Sequence, residues 1–288
     1  MNLKSLFLLF LICALPISAH SQSTENALLW KVSGNGLSAD SYLYGTIHLA
    51  CDVNITDDMQ QAFDSTEQLA LEIDMADPTM MTVMMQNMYM KDGKKLSDFA
   101  NDEELKQLEA FFEGKVQGMN FGMMQSIKPF FLSAMAVTSF MSCSTPQGYD
   151  MYFMEQAKAE EKSIIGLETL MDQVNMIDKI PYEEQVDELL EMASKSTEEN
   201  SRIYEEMLKK YEAKDLDGLM KFMTEQESSM NLYAEDFLDN RNKKWIPVIE
   251  EKAKETPTFF AFGAAHLAGQ NGVINLLRRA GYKVEAVE

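Results

Sequence analysis

The chain has 288 residues, with 46 acidic against 25 basic side chains and a formal net charge of −21. That balance argues against nucleic acid as a partner, because phosphate binding relies on a basic face that releases counterions. The length allows one large domain with helical insertions, and the acidic residues, spread through stretches such as 183–191 and 198–206, read as a solvated surface.

At the N-terminus Lys4 precedes an uncharged apolar run at 6–15, followed by Pro16 and the small residues Ser18, Ala19 and Ser21. This pattern predicts a secretory signal peptide over 1–21, cleaved after Ala19 or Ser21. The run is too short for a permanent span of roughly 20 residues, and Ile12 is not the small residue that a lipidated Cys13 would need before it. An exported chain is therefore expected, periplasmic or extracellular, with one domain over 22–288. The longest later apolar stretch, 129–143, is interrupted by Ser133, Thr138, Ser139 and Ser142. It reads as a buried helix, so no stable membrane span is expected in the mature chain. Loss of Cys13 with the signal leaves Cys51 and Cys143, a pair that in an exported chain invites a disulfide. Their spacing is not that of a thiolate metal site.

Strand-like runs at 28–32 and 41–47 flank the turn-forming Ser33, Gly34, Asn35 and Gly36 and predict a β-hairpin. Thr56, Asp57 and Asp58 then open a helix, and 68–73 reads as a buried strand. From 78 to about 145 the pattern is helical, with Met-rich and Phe-rich faces; an amphipathic helix at 150–161 and a strand at 162–167 follow. A second helical block spans roughly 170–254, before a strand at 258–262, a helix at 272–280 and a strand at 282–287. This alternation predicts an α/β fold, a mixed β-sheet core with two large helical insertions. Ligands of such sheets sit beyond the carboxyl ends of the strands, a rule that selects His48, Glu72, Glu168 and His266 together.

The two internal histidines occupy matched GxxH settings, Gly45-Thr46-Ile47-His48 and Gly263-Ala264-Ala265-His266, each after an aromatic-rich strand. In both, the glycine permits a tight turn or a close backbone approach where the strand ends. Glu72 lies in the apolar run Leu69-Ala70-Leu71-Glu72-Ile73-Asp74, where an ionised carboxylate needs a cation or hydrogen-bond donors to meet it. Two imidazoles and a carboxylate make the ligand set of an open catalytic zinc site, and manganese or cobalt would also suit it if Asp74 or Glu168 added oxygen ligands. A structural ion pair of Glu72 with Arg241 is the plainer reading. The methionines at 80, 81, 84, 85, 88 and 90 read first as core, then as a pliable peptide groove lining or covering the mouth of the site, and last as a Cu(I) site.

The stretches YLYGTIHLA at 42–50, LALEID at 69–74, GYDMYFMEQAKAEEKSIIGLET at 148–169, RNKKW at 241–245 and FFAFGAAHLAGQNGVINLLRRAGYKVEAV at 259–287 resemble the TraB/PrgY/GumN family over nearly the whole mature chain. The resemblance implies an erythromycin-esterase/Tiki-like fold and proteolysis of the metal-dependent Tiki type. It places catalysis or metal binding on His48, Glu72 and His266, with supporting roles for Glu168, Arg241 and Asn242. Arg241 would hold a substrate carboxylate or oxyanion, or orient Glu72. The leading expectation is therefore hydrolysis of a peptide or amide bond, in a peptide or small-molecule substrate, by metal-activated water, with Glu72 as ligand or base and His48 and His266 as ligands. The alternatives are a metal-free hydrolase with a histidine base and a non-catalytic peptide-binding or metal-binding protein.

Overall fold

Six strands form one sheet in a computed structural model that describes residues 25–116, 118–143, 145–225 and 232–287; the expected signal peptide lies outside the described residues. The expected hairpin is made by Leu29–Ser33 (β1) and Ser41–Thr46 (β2), which pair antiparallel with Leu29 opposite Tyr44. Gln68–Leu71 (β3), Ser163–Gly166 (β4), Thr258–Gly263 (β5) and Lys283–Val287 (β6) complete the order β4-β3-β5-β2-β1-β6. Neighbours from β4 to β2 are parallel, and β1 alone runs against the rest. The sheet is thus mixed, as the alternation predicted.

The centre of the sheet is covered on both faces, which is why β5 reads as an unbroken apolar run rather than an alternating one. Phe259 meets Phe153 of the helix Tyr149–Ala159 at 4.7 Å between ring centres. Phe262, on the opposite face, meets Trp245 of the helix Asn240–Glu255 at 5.5 Å. Phe259, Phe260, Ala261 and Phe262 are fully buried, so the carboxyl end of β5 sits on a rigid base.

Between β2 and β3 lies α1 (Asp57–Asp64), whose N-cap Thr56 accepts the Met59 N–H as the sequence indicated. Between β3 and β4 come α2 (Met80–Asn87), α3 (Asp102–Phe112), α4 (Phe121–Met124), α5 (Pro129–Val137) and α6 (Tyr149–Ala159). Between β4 and β5 come α7 (Leu170–Ile177), α8 (Tyr182–Ser194), α9 (Thr197–Glu212) and α10 (Leu216–Glu225), followed by a π-helical turn Glu235–Asp239 and the helix Asn240–Glu255. No helix among the described residues is long and apolar enough to cross a membrane.

The two helical stretches are not independent. Leu108 and Phe112 of α3, Leu132 of α5 and Val186 and Leu189 of α8 share a second apolar core, separate from the one around the sheet. Met88 and Met90 enter that core, whereas Met81 and Met85 on α2 stay exposed, at 65% and 51%. The methionine run thus divides between packing and surface. A disulfide joins Cys51 to Cys143, with Cα atoms 5.6 Å apart, and ties the first helical stretch to the loop after β2.

Candidate active site

The parallel register puts four strand ends on one edge. Thr46 pairs with Gly263, and Leu71 pairs with both Ala261 and Gly166, so His48, Glu72, Glu168 and His266 follow their strands at the same end of the sheet.

His48 leaves β2 on a short loop that is laced to the start of α6. Ala50 and Gln147 exchange backbone hydrogen bonds at 3.2 and 2.9 Å, and the Tyr149 N–H donates to the Ile47 carbonyl at 3.2 Å. This ladder brings Asp150, in the first turn of α6, beneath the imidazole. Asp150 Oδ1 accepts the Thr46 hydroxyl at 2.7 Å and Oδ2 lies 2.9 Å from His48 Nδ1. The hydrogen bond to Asp150 orients the ring and raises the His48 pKa to about 9, and the side chain is 69% exposed. In metal-free protein, the His48 ring signals followed by NMR are expected to titrate near 9, and Asp150→Asn should bring the midpoint down towards the ordinary value of about 6.5. An unmoved midpoint would mean that Asp150 does not hold the ring.

Glu72 is only 9% exposed, and each of its oxygens is engaged. Oε1 accepts the Gly263 N–H at 2.9 Å; Oε2 accepts Arg241 Nη2 at 2.5 Å and Gln173 Nε2 at 3.1 Å. Burial alone would raise its pKa, but His266, charged only at the low pH where the pair titrates, together with the charges of Arg241 and His48 and the Gly263 N–H, outweighs it and brings the carboxyl to about 2. Glu72 is thus an anion at neutral pH and a poor proton acceptor.

His266 ends a short 3-10 turn, Ala264–His266, directly after β5. The Asn242 amide donates to the Asn271 carbonyl at 2.9 Å, which turns its oxygen towards His266 Nδ1, 2.6 Å away. Nδ1 therefore carries the hydrogen and Nε2 accepts from Arg241 Nη1 at 3.1 Å. Burial, helped by the charges of Arg241 and His48, lowers the His266 pKa to about 3. Its ring is neutral, with its lone pair facing the site.

Arg241 binds the group together. Nε and Nη2 reach Glu168 Oε1 at 2.9 and 2.6 Å, Nη2 also reaches Glu72, and Nη1 reaches the Phe237 carbonyl at 3.1 Å as well as His266. A guanidinium has five N–H groups, and all five are used. No donor is left over, and both Glu72 and Glu168 are among the acceptors. Glu168 also takes the indole N–H of Trp245 at 3.2 Å and Gln173 at 3.0 Å. Asp74 turns instead to its own backbone, accepting the Ala76 N–H at 2.9 Å.

The GxxH glycines have separate jobs. A Cβ on Gly45 would come within 2.6 Å of Leu267 Cδ1 and 3.0 Å of the Ala264 backbone, so this glycine lets the His266 turn pack across β2. A Cβ on Gly263 would lie 3.3 Å from Glu72 Oε1, 3.7 Å from His266 Cδ2 and 3.9 Å from His48 Nε2. The three candidate ligands therefore surround one small cradle beside Gly263. They suit a divalent ion in kind, and each imidazole has the hydrogen-bonded Nδ1 that orients metal-binding histidines. As they stand, no three His, Cys, Asp or Glu side chains among the described residues are spaced to close on an ion. Arg241 takes His266 Nε2 and one oxygen of Glu72.

Asp150, Gln173 and Trp245 escape a reading of the sequence. Asp150 looks like an ordinary acidic residue at a helix N-terminus; its only signal is its place inside the GYDMYF stretch. Gln173 looks like part of a helix face, and the only signal of Trp245 is its place at the end of the RNKKW stretch.

Residues 28–286 match the model of the TraB/PrgY/gumN family. Among curated proteins the chain is similar to "Metalloprotease TIKI1" of Danio rerio, 23% identical over 318 residues that cover 92% of this chain and 64% of the relative. It is also similar to "Metalloprotease TIKI2" of Xenopus tropicalis, 22% identical over 95% of this chain and 61% of the relative. "Metalloprotease TIKI1" of Homo sapiens is 23% identical over 98% and 69%. The chain thus spans less than two thirds of the first two relatives' length. No solved structure matches it significantly. With the match covering most of its length, the chain belongs to the TraB/PrgY/gumN family.

Proposed function

We propose that this protein is an exported hydrolase that cleaves peptide or amide bonds at the carboxyl edge of its sheet, with His48, Glu72 and His266 as the ligands of a divalent zinc, manganese or cobalt ion. One observation carries the reading: the three side chains, delivered by three separate strands, surround the cradle beside Gly263. The name of the relatives, metalloprotease, supports the same reaction class. The ion would supply a Lewis acid that lowers the pKa of a water and polarises a carbonyl.

The chain's own residues do the rest. Asp150 and Asn242 each fix an imidazole by its Nδ1, so that both Nε2 atoms serve as donors. The Gly263 N–H holds Glu72 Oε1 at the cradle, and the low pKa of Glu72 favours a ligand role over that of a base. In the metal-free protein Arg241, anchored on Glu168, holds the Glu72 carboxylate. Export agrees with the disulfide, since such bonds persist in oxidising compartments.

The His48–Asp150 pair favours a second reading, in which His48 itself takes the proton from water without a metal. With a pKa of about 9, such a base would gain activity as pH rises towards 9. Hydrolysis of a quenched-fluorescent peptide library, with and without a chelator, separates the two. Loss of cleavage on chelation and recovery on adding Mn2+ supports the metal reading; cleavage untouched by chelator supports the histidine base. No cleavage under any condition, with the protein folded, would remove both.

The substrate wall is proposed to come from α2. It packs on α7, whose Gln173 touches Glu72, and Met81 and Met85 stand exposed on it. Replacing both with Gln is expected to raise KM several-fold with little change in kcat or folding; an unchanged KM would make them plain surface.

A further inference from the structure

We infer that Arg241 is a resident counter-cation of the metal-free site, and that an entering divalent ion displaces it from Glu72 and His266 while it stays seated on Glu168. The inference rests on the ligand reading above and adds a loading mechanism to it.

Arg241 holds the Nε2 of His266, which an ion in the cradle would need, at 3.1 Å, and sits at 2.5 Å on Oε2 of Glu72, the carboxylate whose other oxygen faces the cradle. Both partners are buried, with side chains 11% and 5% exposed. A carboxylate so enclosed requires a cation, and the guanidinium supplies one. It cannot keep that place once a dication arrives, because like charges a few ångströms apart in a poorly solvated site repel strongly.

Glu168 provides the second seat. Its Oε1 takes both Nε and Nη2, the Phe237 carbonyl takes Nη1, and the Trp245 ring lies 4.8 Å below the guanidinium. None of these contacts involves Glu72 or His266, so a small rotation frees both while most of the anchoring survives. Phe237 lies in the π-helical turn Glu235–Asp239, an irregular winding that often marks functional positions in helices. Until the ion arrives, Arg241 keeps Glu72 ionised and His266 oriented. The ligand set is thereby held ready, and the chain folds without its metal.

The test is titration of metal-stripped protein with Mn2+ by calorimetry in wild type, Arg241→Gln, Arg241→Lys and Lys243→Gln. Lys243 is an exposed charge two residues away and controls for a general electrostatic effect. Arg241→Gln is expected to bind Mn2+ about tenfold tighter than wild type, Arg241→Lys to lie between them, and Lys243→Gln to match wild type. The chain has 2 tryptophans, so in a Trp30→Phe background Trp245 is the single fluorophore, and its emission should change on Mn2+ saturation as the guanidinium shifts. Equal or weaker binding by folded Arg241→Gln, or equal tightening by Lys243→Gln, overturns the inference and leaves the ligand reading standing. Should Arg241→Gln fail to fold, unchanged Trp245 emission on saturation of the otherwise wild-type protein overturns it. If neither wild type nor variant binds Mn2+ at about 1 mM, the ligand reading falls and takes the inference with it.

Discussion

Glu72→Gln is expected to lower peptide hydrolysis by more than about 100-fold in kcat/KM and to strip the protein of its divalent ion. The estimate follows from metal sites generally, where changing even a group behind a ligand costs about 10- to 100-fold. The substitution keeps the shape of the side chain and the Gly263 contact while removing the charge that Arg241 and the ion both need. Metal content separates the two roles of Glu72. Loss of ion and activity together marks a ligand, whereas retained ion with lost activity marks a base and contradicts the assignment made from its low pKa.

The same residues give the fold a pH dependence of known sign. The Glu72 carboxyl is held below its ordinary value, so its contribution is present above about 4.5 and is lost as pH falls through about 2. His266 is buried neutral with its pKa lowered to about 3; unfolded chains take up its proton below about 6.5, which weakens the fold progressively towards acid. Both effects act in one direction. Denaturation of metal-free protein should require less urea at pH 4 than at pH 7, and the acid loss should be smaller in His266→Asn.

Removing the disulfide is expected to have the largest effect on stability. Cys51 and Cys143 close a loop across 92 positions, for which the chain-entropy model gives about 4 to 5 kcal/mol. Cys51→Ser, measured by denaturant unfolding against wild type, should approach that loss. Because Cys51 lies three residues after His48 in the loop laced to α6, the variant should also loosen the His48–Asp150 pair and bring the His48 titration below about 9. A loss under about 1 kcal/mol would show that the backbone ladder between Ala50 and Gln147 holds the loop unaided.

Much of this arrangement is legible in the sequence, for a definite reason. Strand ends are marked by local signals, and in a parallel sheet all such ends meet on one edge; His48, Glu72, Glu168 and His266 could be grouped before any contact was known. The cysteine pair was legible because the signal peptide reading left only two candidates. Other features depend on packing across long separations, which no local pattern encodes. Asp150 reaches His48 only because the 147–149 backbone pairs with the loop after β2. The common core of α3, α5 and α8 joins stretches that the sequence separates by a helix and a strand, so the packing of the two insertions on each other was not legible. The methionine run was ambiguous for a related reason: its spacing fits a helix, but what covers each face is decided by α7 and α8.

The measurement that bears most directly on the central proposal is the metal content of purified protein, equilibrated with excess Mn2+ and desalted, for wild type, His48→Ala and His266→Ala. About one divalent ion per wild-type chain is expected, with little in either variant, while circular dichroism shows all three folded. A wild-type protein that carries no divalent ion and whose hydrolysis is untouched by chelators would contradict it.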